Sequence, residues 1–114
     1  MIRDPEMLDQ LLSTIRDFVK NELVPLEHEV EENNAIPEHI VEQMKELGLF
    51  GLTIPEEYGG LGITMEEEIL VAMELGHTSA AFRSLIGTNN GIGSSGIIID
   101  GTEEQKQKYL PRYA

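Results

Sequence analysis

Residues Gly91–Gly96 read GIGSSG, which fits the spacing G-x-G-x-x-G of the phosphate-binding loop in dinucleotide-binding α/β folds. That loop must follow a parallel strand and open a helix inside a βαβ unit. The preceding residues 82–90 (FRSLIGTNN) contain no clean β run, and the 18 residues after Gly96 are too few for a helix and a return strand. The sequence therefore predicts that GIGSSG is part of a helix and binds no dinucleotide.

The N-terminal third of the chain shows helical periodicity. Apolar residues that recur at steps of three and four indicate an amphipathic first helix. These residues are Leu8, Leu11, Leu12, Ile15, Phe18, Val19 and Leu23. Pro25 predicts a break, followed by a second helix that runs to about Asn34. A third helix is expected to begin at Pro37 and to end at a left-handed Gly48. Its inward-facing residues are expected to be Ile40, Val41, Met44 and Leu47.

The middle of the chain combines a loop with a strongly apolar helix. Residues 49–63 (LFGLTIPEEYGGLGI) predict a structured loop, with an extended piece at Leu52–Ile54. Thr64 and Glu67 then have the spacing of a capping box. The helix behind them contains residues 69–76 (ILVAMELG), which are apolar on nearly every face and predict a buried central helix.

The C-terminal third also has helix signals at its boundaries. Ser79 is placed to cap a fifth helix that Gly101 ends, and Thr102 with Gln105 forms a second capping box. The last helix is expected to end near Pro111. We therefore expect an all-α fold, a compact bundle of about five to six helices with one Gly/Pro-rich loop.

The glycines of the fifth helix require a physical reason. They are Gly87, Gly91, Gly93 and Gly96. Each costs about 0.8–1 kcal/mol against alanine inside a helix, and the four together about 3–4 kcal/mol. One explanation is that a neighbouring helix packs closely, as the spacing of Gly87 and Gly91 suggests. The other is that a ligand lies along the stripe Ser84, Thr88 and Ile92, and the two explanations are compatible.

Composition limits the class of protein. A chain of 114 residues suggests one domain. Its net charge of −13 disfavours nucleic acid and anionic membranes as partners. The chain has no cysteine, and its three scattered histidines indicate no metal site. The opening MIRDPEMLDQ resembles neither a signal nor a transit peptide. We expect a soluble, cytoplasmic protein.

Three stretches together resemble the N-terminal helical domain of the acyl-CoA dehydrogenase family. They are residues 24–48 with the opening helix before them, residues 46–62 (ELGLFGLTIPEEYGGLG) and residues 96–111 (GIIIDGTEEQKQKYLP). The resemblance covers essentially the whole chain. PEEYGGLG and GTEEQKQKYLP, about forty residues apart, are specific as a pair.

The resemblance implies an FAD-dependent oxidoreductase of fatty acid metabolism that removes hydrogens from Cα and Cβ of an acyl-CoA. In that family a middle β-domain and a C-terminal helical domain hold most of the flavin and the catalytic glutamate. Both domains are expected to be absent from residues 1–114, so we assign no catalytic residue and expect this part alone to be inactive. The full-length enzyme is expected to pass electrons to electron-transfer flavoprotein and to form a homo-oligomer. The alternative is a stand-alone helical module for protein interaction or acyl binding.

The resemblance also implies that the fifth helix lines the acyl-tail pocket. The expected wall residues are Ser84, Leu85, Thr88, Asn89, Ile92 and Ser95. Gly93 and Gly96 are expected to leave room for medium or longer acyl chains.

Overall fold

The computed structural model describes residues 1–114, and all regular structure in it is helical. The helices are α1 (Pro5–Phe18), α2 (Glu27–Asn33), α3 (Glu38–Glu46), α4 (Met65–Leu75), α5 (Ala80–Thr88), α6 (Ser95–Asp100) and α7 (Glu103–Tyr113). Continuous helical backbone joins α1 to α2, and a π-helical turn joins α5 to α6, so the chain forms five rods. The expected all-α fold is confirmed. No helix combines the length and the apolar character needed to cross a bilayer.

Pro25 does not interrupt the helical backbone between α1 and α2, contrary to the predicted break. A π-helical turn at Val19–Leu23 and a short 3-10 turn at Val24–Leu26 carry α1 directly into α2. The Val24 amide donates to the Val19 carbonyl, five residues back instead of four. This wider turn accommodates the proline ring and its missing N–H, which would disrupt a regular α-helix.

The predicted helix boundaries are largely confirmed. In the first capping box the Thr64 amide donates to Glu67 Oε1 at 2.8 Å, and the Glu67 amide donates to Thr64 Oγ1 at 3.2 Å. Thr102 and Gln105 form the same pair of bonds at 3.0 and 3.2 Å. Gly48 ends α3 in the left-handed conformation, with φ 78°. The last helix differs, because α7 continues past Pro111 to Tyr113.

Helix α4 is not the buried central helix that its composition predicts. Val71 and Leu75 are buried, but Met65, Ile69 and Met73 are 76%, 54% and 63% exposed. The molecule measures 43 × 31 × 18 Å, so its shortest dimension holds about two helix diameters of roughly 10 Å each. In such a slab every helix has one outer face, whatever its composition.

The Gly/Pro-rich loop is held by its own backbone and by α7. It contains two 3-10 turns, Leu49–Gly51 and Glu56–Tyr58, and the extended piece expected at Leu52–Ile54 does not form a strand. Amides of Leu61 and Ile63 donate to carbonyls of Gly51 and Leu52 at 2.8 and 2.9 Å. Ile54, Tyr58 and Leu110 form a small second core between the loop and α7.

Candidate functional site: a groove beside helix α5

A groove of about 1260 Å³ lies between α5 on one side and α2 and α3 on the other. Its apolar wall residues are Val30, Ala35, Ile36, Val41, Ala81 and Leu85. Its polar residues are Glu27, Glu31, Asn34, His77, Thr78, Ser79, Ser84 and Thr88. An open groove lined by both apolar and polar side chains has a composition compatible with a site for an alkyl chain.

Three of the six predicted wall residues line this groove, namely Ser84, Leu85 and Thr88. The Thr88 hydroxyl donates to the Ser84 carbonyl at 3.1 Å inside the helix, so it needs no partner in the groove. Leu85 is half-buried and packs against the main core. Ser84, Leu85 and Thr88 therefore lie on the wall that α5 contributes to the groove.

The other three predicted residues lie outside the groove. Asn89 Nδ2 donates to the carbonyls of Phe50 and Tyr113 at 2.6 and 2.9 Å, which fixes its side chain inside the fold. Ser95 Oγ donates to the Asn90 carbonyl at 3.2 Å. Ile92 is 88% exposed.

The π-helical turn Asn89–Gly93 explains why residues beyond Asn89 on the predicted stripe do not reach the groove. The predicted stripe Ser84, Thr88 and Ile92 assumes 3.6 residues per turn, and a π turn places more than four in one turn. Residues after Asn89 are therefore rotated relative to those before it. No simple periodicity count could have found this shift.

The opposite wall of the groove was missed by sequence reasoning as a ligand surface. Val41 was expected to point inward, but Val30, Ile36 and His77 were not connected with the site. Thr78 Oγ1 donates to Glu27 Oε1 at 2.8 Å and so ties the start of α2 to the turn before α5. These contacts span 51 residues, and no local pattern signals them.

The four helix glycines have different surroundings. A Cβ at Gly93 would lie 2.9 Å from Cε1 of Tyr113, so close packing requires glycine there. A Cβ at Gly87 would collide with the guanidinium of Arg83. At Gly91 and Gly96 a Cβ would meet nothing within 4 Å. Packing inside this chain therefore explains Gly93 and does not explain Gly91 or Gly96. Neither Gly93 nor Gly96 lines the groove, so the room expected there for longer acyl chains is not part of it.

The residues Gly91–Gly96 do not fit a dinucleotide. They belong to the π-helical turn and the start of α6, and the segment before them is the helix α5 and not a strand. The Ser94 amide donates to the Asn89 carbonyl at 3.2 Å and is not free to bind a phosphate. The expected helical conformation of this stretch is confirmed.

Comparisons of the sequence and of the fold with known proteins point to the same family. Residues 5–114 match the model of the family described as acyl-CoA dehydrogenase, N-terminal domain. An acyl-CoA dehydrogenase of Bacillus subtilis is 34% identical over 100 residues, which cover 88% of this chain and 26% of the relative.

Two solved structures are similar to the fold. The acyl-CoA dehydrogenase of Bacillus anthracis complexed with FAD has a TM-score of 0.79 at 34% identity, covering 99% of this chain and 20% of that one. A chain from the structure of the electron transferring flavoprotein of Acidaminococcus fermentans has a TM-score of 0.83 at 30% identity, covering 94% of this chain and 28% of that one.

The chain spans about a quarter of the length of these relatives. The match nevertheless runs through nearly every residue, including the loop 49–63 and both capping boxes. Residues 5–114 match the N-terminal domain of the acyl-CoA dehydrogenase family, and the chain therefore belongs to that family.

Proposed function

We propose that this chain is the N-terminal domain of an FAD-dependent acyl-CoA dehydrogenase, an oxidoreductase of fatty acid metabolism that forms the Cα–Cβ double bond of acyl-CoA thioesters. Its role is to provide one wall of the site for the acyl tail. A middle β-domain and a C-terminal helical domain of the same protein would complete the site and supply the catalytic base. The domain alone would be inactive.

The observation that carries this proposal is the groove. Leu85 on α5 faces Val30, Ile36 and Val41 across it, so an alkyl chain lying there would lose apolar surface to both walls. Each methylene removed from water contributes about 0.8 kcal/mol, or roughly fourfold in affinity. Binding of the tail by this part of the chain can therefore be strong without any polar contact.

The unpacked glycines support a further covering surface next to the groove. Replacing Gly91 or Gly96 by alanine would gain about 0.8–1 kcal/mol of helix stability each, with nothing in this chain to prevent it. Ile92 and Ile99 on the same segment are 88% and 76% exposed. A thin, apolar helix face of this kind suits close contact with the remaining domains of the protein.

FAD belongs to those other domains in this proposal. The glycine-rich stretch Gly91–Gly96 does not fit a flavin dinucleotide, since it is helical and its Ser94 amide is used in the helix. We assign no flavin contact and no step of the reaction to this chain. Electron-transfer flavoprotein as acceptor, a homo-oligomeric assembly and a cytoplasmic location complete the proposal.

The test is the activity of the full-length protein with FAD on acyl-CoAs of different lengths, with Thr88→Phe as the variant. The added ring would fill part of the groove, so kcat/KM should fall more for a longer acyl chain than for a short one. Gln10→Phe, an exposed position on α1, is the matched control and should leave the length profile unchanged.

Two results would contradict the proposal. If Thr88→Phe lowers kcat/KM equally for all chain lengths, the groove does not hold the tail. If the wild-type protein binds acyl-CoA or a partner protein without oxidising any acyl-CoA, the stand-alone binding module is the better description.

A further inference from the structure

Asn90 lies in the π-helical turn and is only 2% exposed. Its Nδ2 donates to the carbonyls of Leu49 and Ile86 at 2.7 and 3.0 Å. These two bonds fix the orientation of the amide, because the flipped amide would place an oxygen against two carbonyl oxygens. The Oδ1 atom is therefore a buried acceptor, and no protein group donates to it.

A small cavity of about 10 Å³ lies against Asn90, between α4 and α5. One water molecule needs roughly 10–15 Å³ measured in this way. Apolar atoms of Leu52, Val71, Leu75 and Ile86 form much of the wall. The polar side chains that line it are Asn90, Glu68 and Arg83. Buried polar atoms of folded proteins are nearly always paired, and an unpaired one costs about 1–3 kcal/mol.

We propose that this cavity binds one internal water molecule, which donates a hydrogen bond to Asn90 Oδ1. Its oxygen would accept from the guanidinium of Arg83, and its second hydrogen would go to the carboxylate of Glu68. Arg83 and Glu68 form no direct ion pair. The water would therefore link these two oppositely charged side chains to each other and to the buried amide of Asn90. The water thereby connects α4 to the π-helical turn.

Gly87 is the residue that keeps this site open. It lines the same cavity, and a Cβ there would overlap Nη1 of Arg83 and lie 2.9 Å from its Cζ. The guanidinium can remain over the cavity only because residue 87 has no side chain. This gives Gly87 a reason that neither helix packing nor the groove supplies.

The first test is a high-resolution crystal structure of the wild-type protein and of two variants, Gly87→Ala and Gly91→Ala. The wild type should show one ordered water about 2.5–3.0 Å from Asn90 Oδ1. Gly91→Ala adds the same methyl group four residues later, where it meets no atom of residues 1–114 within 4 Å, and should retain the water. Gly87→Ala should displace Arg83 and lose the water.

Thermal unfolding of the same three proteins is the second test. Alanine favours the helical state over glycine, and only the methyl group at residue 87 displaces Arg83, so the midpoint should rise for Gly91→Ala and should rise less or fall for Gly87→Ala. A dry cavity in the wild type, or a direct bond from Arg83 to Asn90 Oδ1, would overturn the proposal. Equal rises in the two variants, or an unchanged water in Gly87→Ala, would overturn the part assigned to Gly87 and Arg83.

Discussion

Tyr58 joins the Gly/Pro-rich loop to α7. Its hydroxyl donates to both carboxylate oxygens of Glu103, at 2.7 and 2.8 Å. This hydrogen bond, with burial second, raises the pKa of Tyr58 to about 12. The neutral phenol is the stabilised form, so its contribution to stability is complete below the usual tyrosine pKa of about 10 and is lost as pH rises from there through 12.

We therefore expect Tyr58→Phe to lower the free energy of unfolding at neutral pH, since the lost hydrogen bond has a charged acceptor. Urea unfolding measures this loss. Tyr109→Phe is the control, because that side chain is 40% exposed and should cost little. An ultraviolet titration should show that the late-ionising tyrosine is missing only in Tyr58→Phe. Equal behaviour of the two variants would refute the assignment.

The same residue marks the limit of prediction at this scale. PEEYGGLG and GTEEQ identified the family as separate motifs, but nothing local shows that Tyr58 of one contacts Glu103 of the other, 45 residues away. Capping residues could be predicted because their partners are three residues away. Asn89 could not, because its amide serves two carbonyls that only the fold brings near it.

Two capping boxes with the same bonds differ in their burial. Glu67 is fully buried, whereas Gln105 is exposed. The hydrogen bond from the Thr64 amide holds the pKa of Glu67 below its usual range against the opposing effect of burial. The box at α4 therefore supports a buried charge, and the box at α7 supports only a helix end.

From this difference we expect Thr64→Ala to cost more than Thr102→Ala. Loss of an ordinary cap costs about 1 kcal/mol, which is the expectation for Thr102→Ala, and values near 2 are expected for Thr64→Ala. Chemical denaturation at neutral pH compares the two. Because the pKa of Glu67 is lowered, its stabilisation should disappear as pH falls through that lowered pKa, and the gap between the variants should narrow in acid. A gap of the same size in acid would contradict this account.

At the level of elements, the sequence predicted where helices begin and end better than how their backbones turn in between. The caps at Thr64 and Thr102 and the stop at Gly48 depend on neighbouring residues, and all three are confirmed. The two π-helical turns depend on what the helix packs against. The turn at Val19–Leu23 lets the helix continue past Pro25. The turn at Asn89–Gly93 rotates Ile92 away from the groove that Ser84 and Thr88 line.

The whole molecule exposes more surface than its size requires. Its accessible area is 6996 Å², whereas a compact monomer of 12.7 kDa has about 6200 Å². The flat shape and the exposed apolar side chains on α4 and α6 account for this excess. This flat shape supports the proposal that other domains of the protein cover the exposed faces. The flat shape could not be predicted from the sequence, because amino-acid composition carries no information on it.

The charge of the groove leads to a prediction about the substrate. Among its 15 lining residues, Glu27 and Glu31 are acidic and none is lysine or arginine. An acyl tail ending in a carboxylate would lose water there and gain no cation in return, which is costly. We therefore expect the full-length protein to prefer neutral tails, and hexanoyl-CoA to exceed adipoyl-CoA in kcat/KM by at least about tenfold, or 1.4 kcal/mol.

Glu31→Gln separates charge from shape in this comparison. It removes one negative charge from the groove at nearly constant volume, and unlike Glu27 it has no bond to Thr78 to disturb. The variant should improve kcat/KM for adipoyl-CoA and leave that for hexanoyl-CoA nearly unchanged, and the improvement should shrink at high salt because the repulsion is screened. Equal activity of the wild type on both substrates would mean that a cation from another part of the protein meets the tail. An equal effect of Glu31→Gln on both substrates would mean that the charge of Glu31 does not distinguish a charged tail from a neutral one.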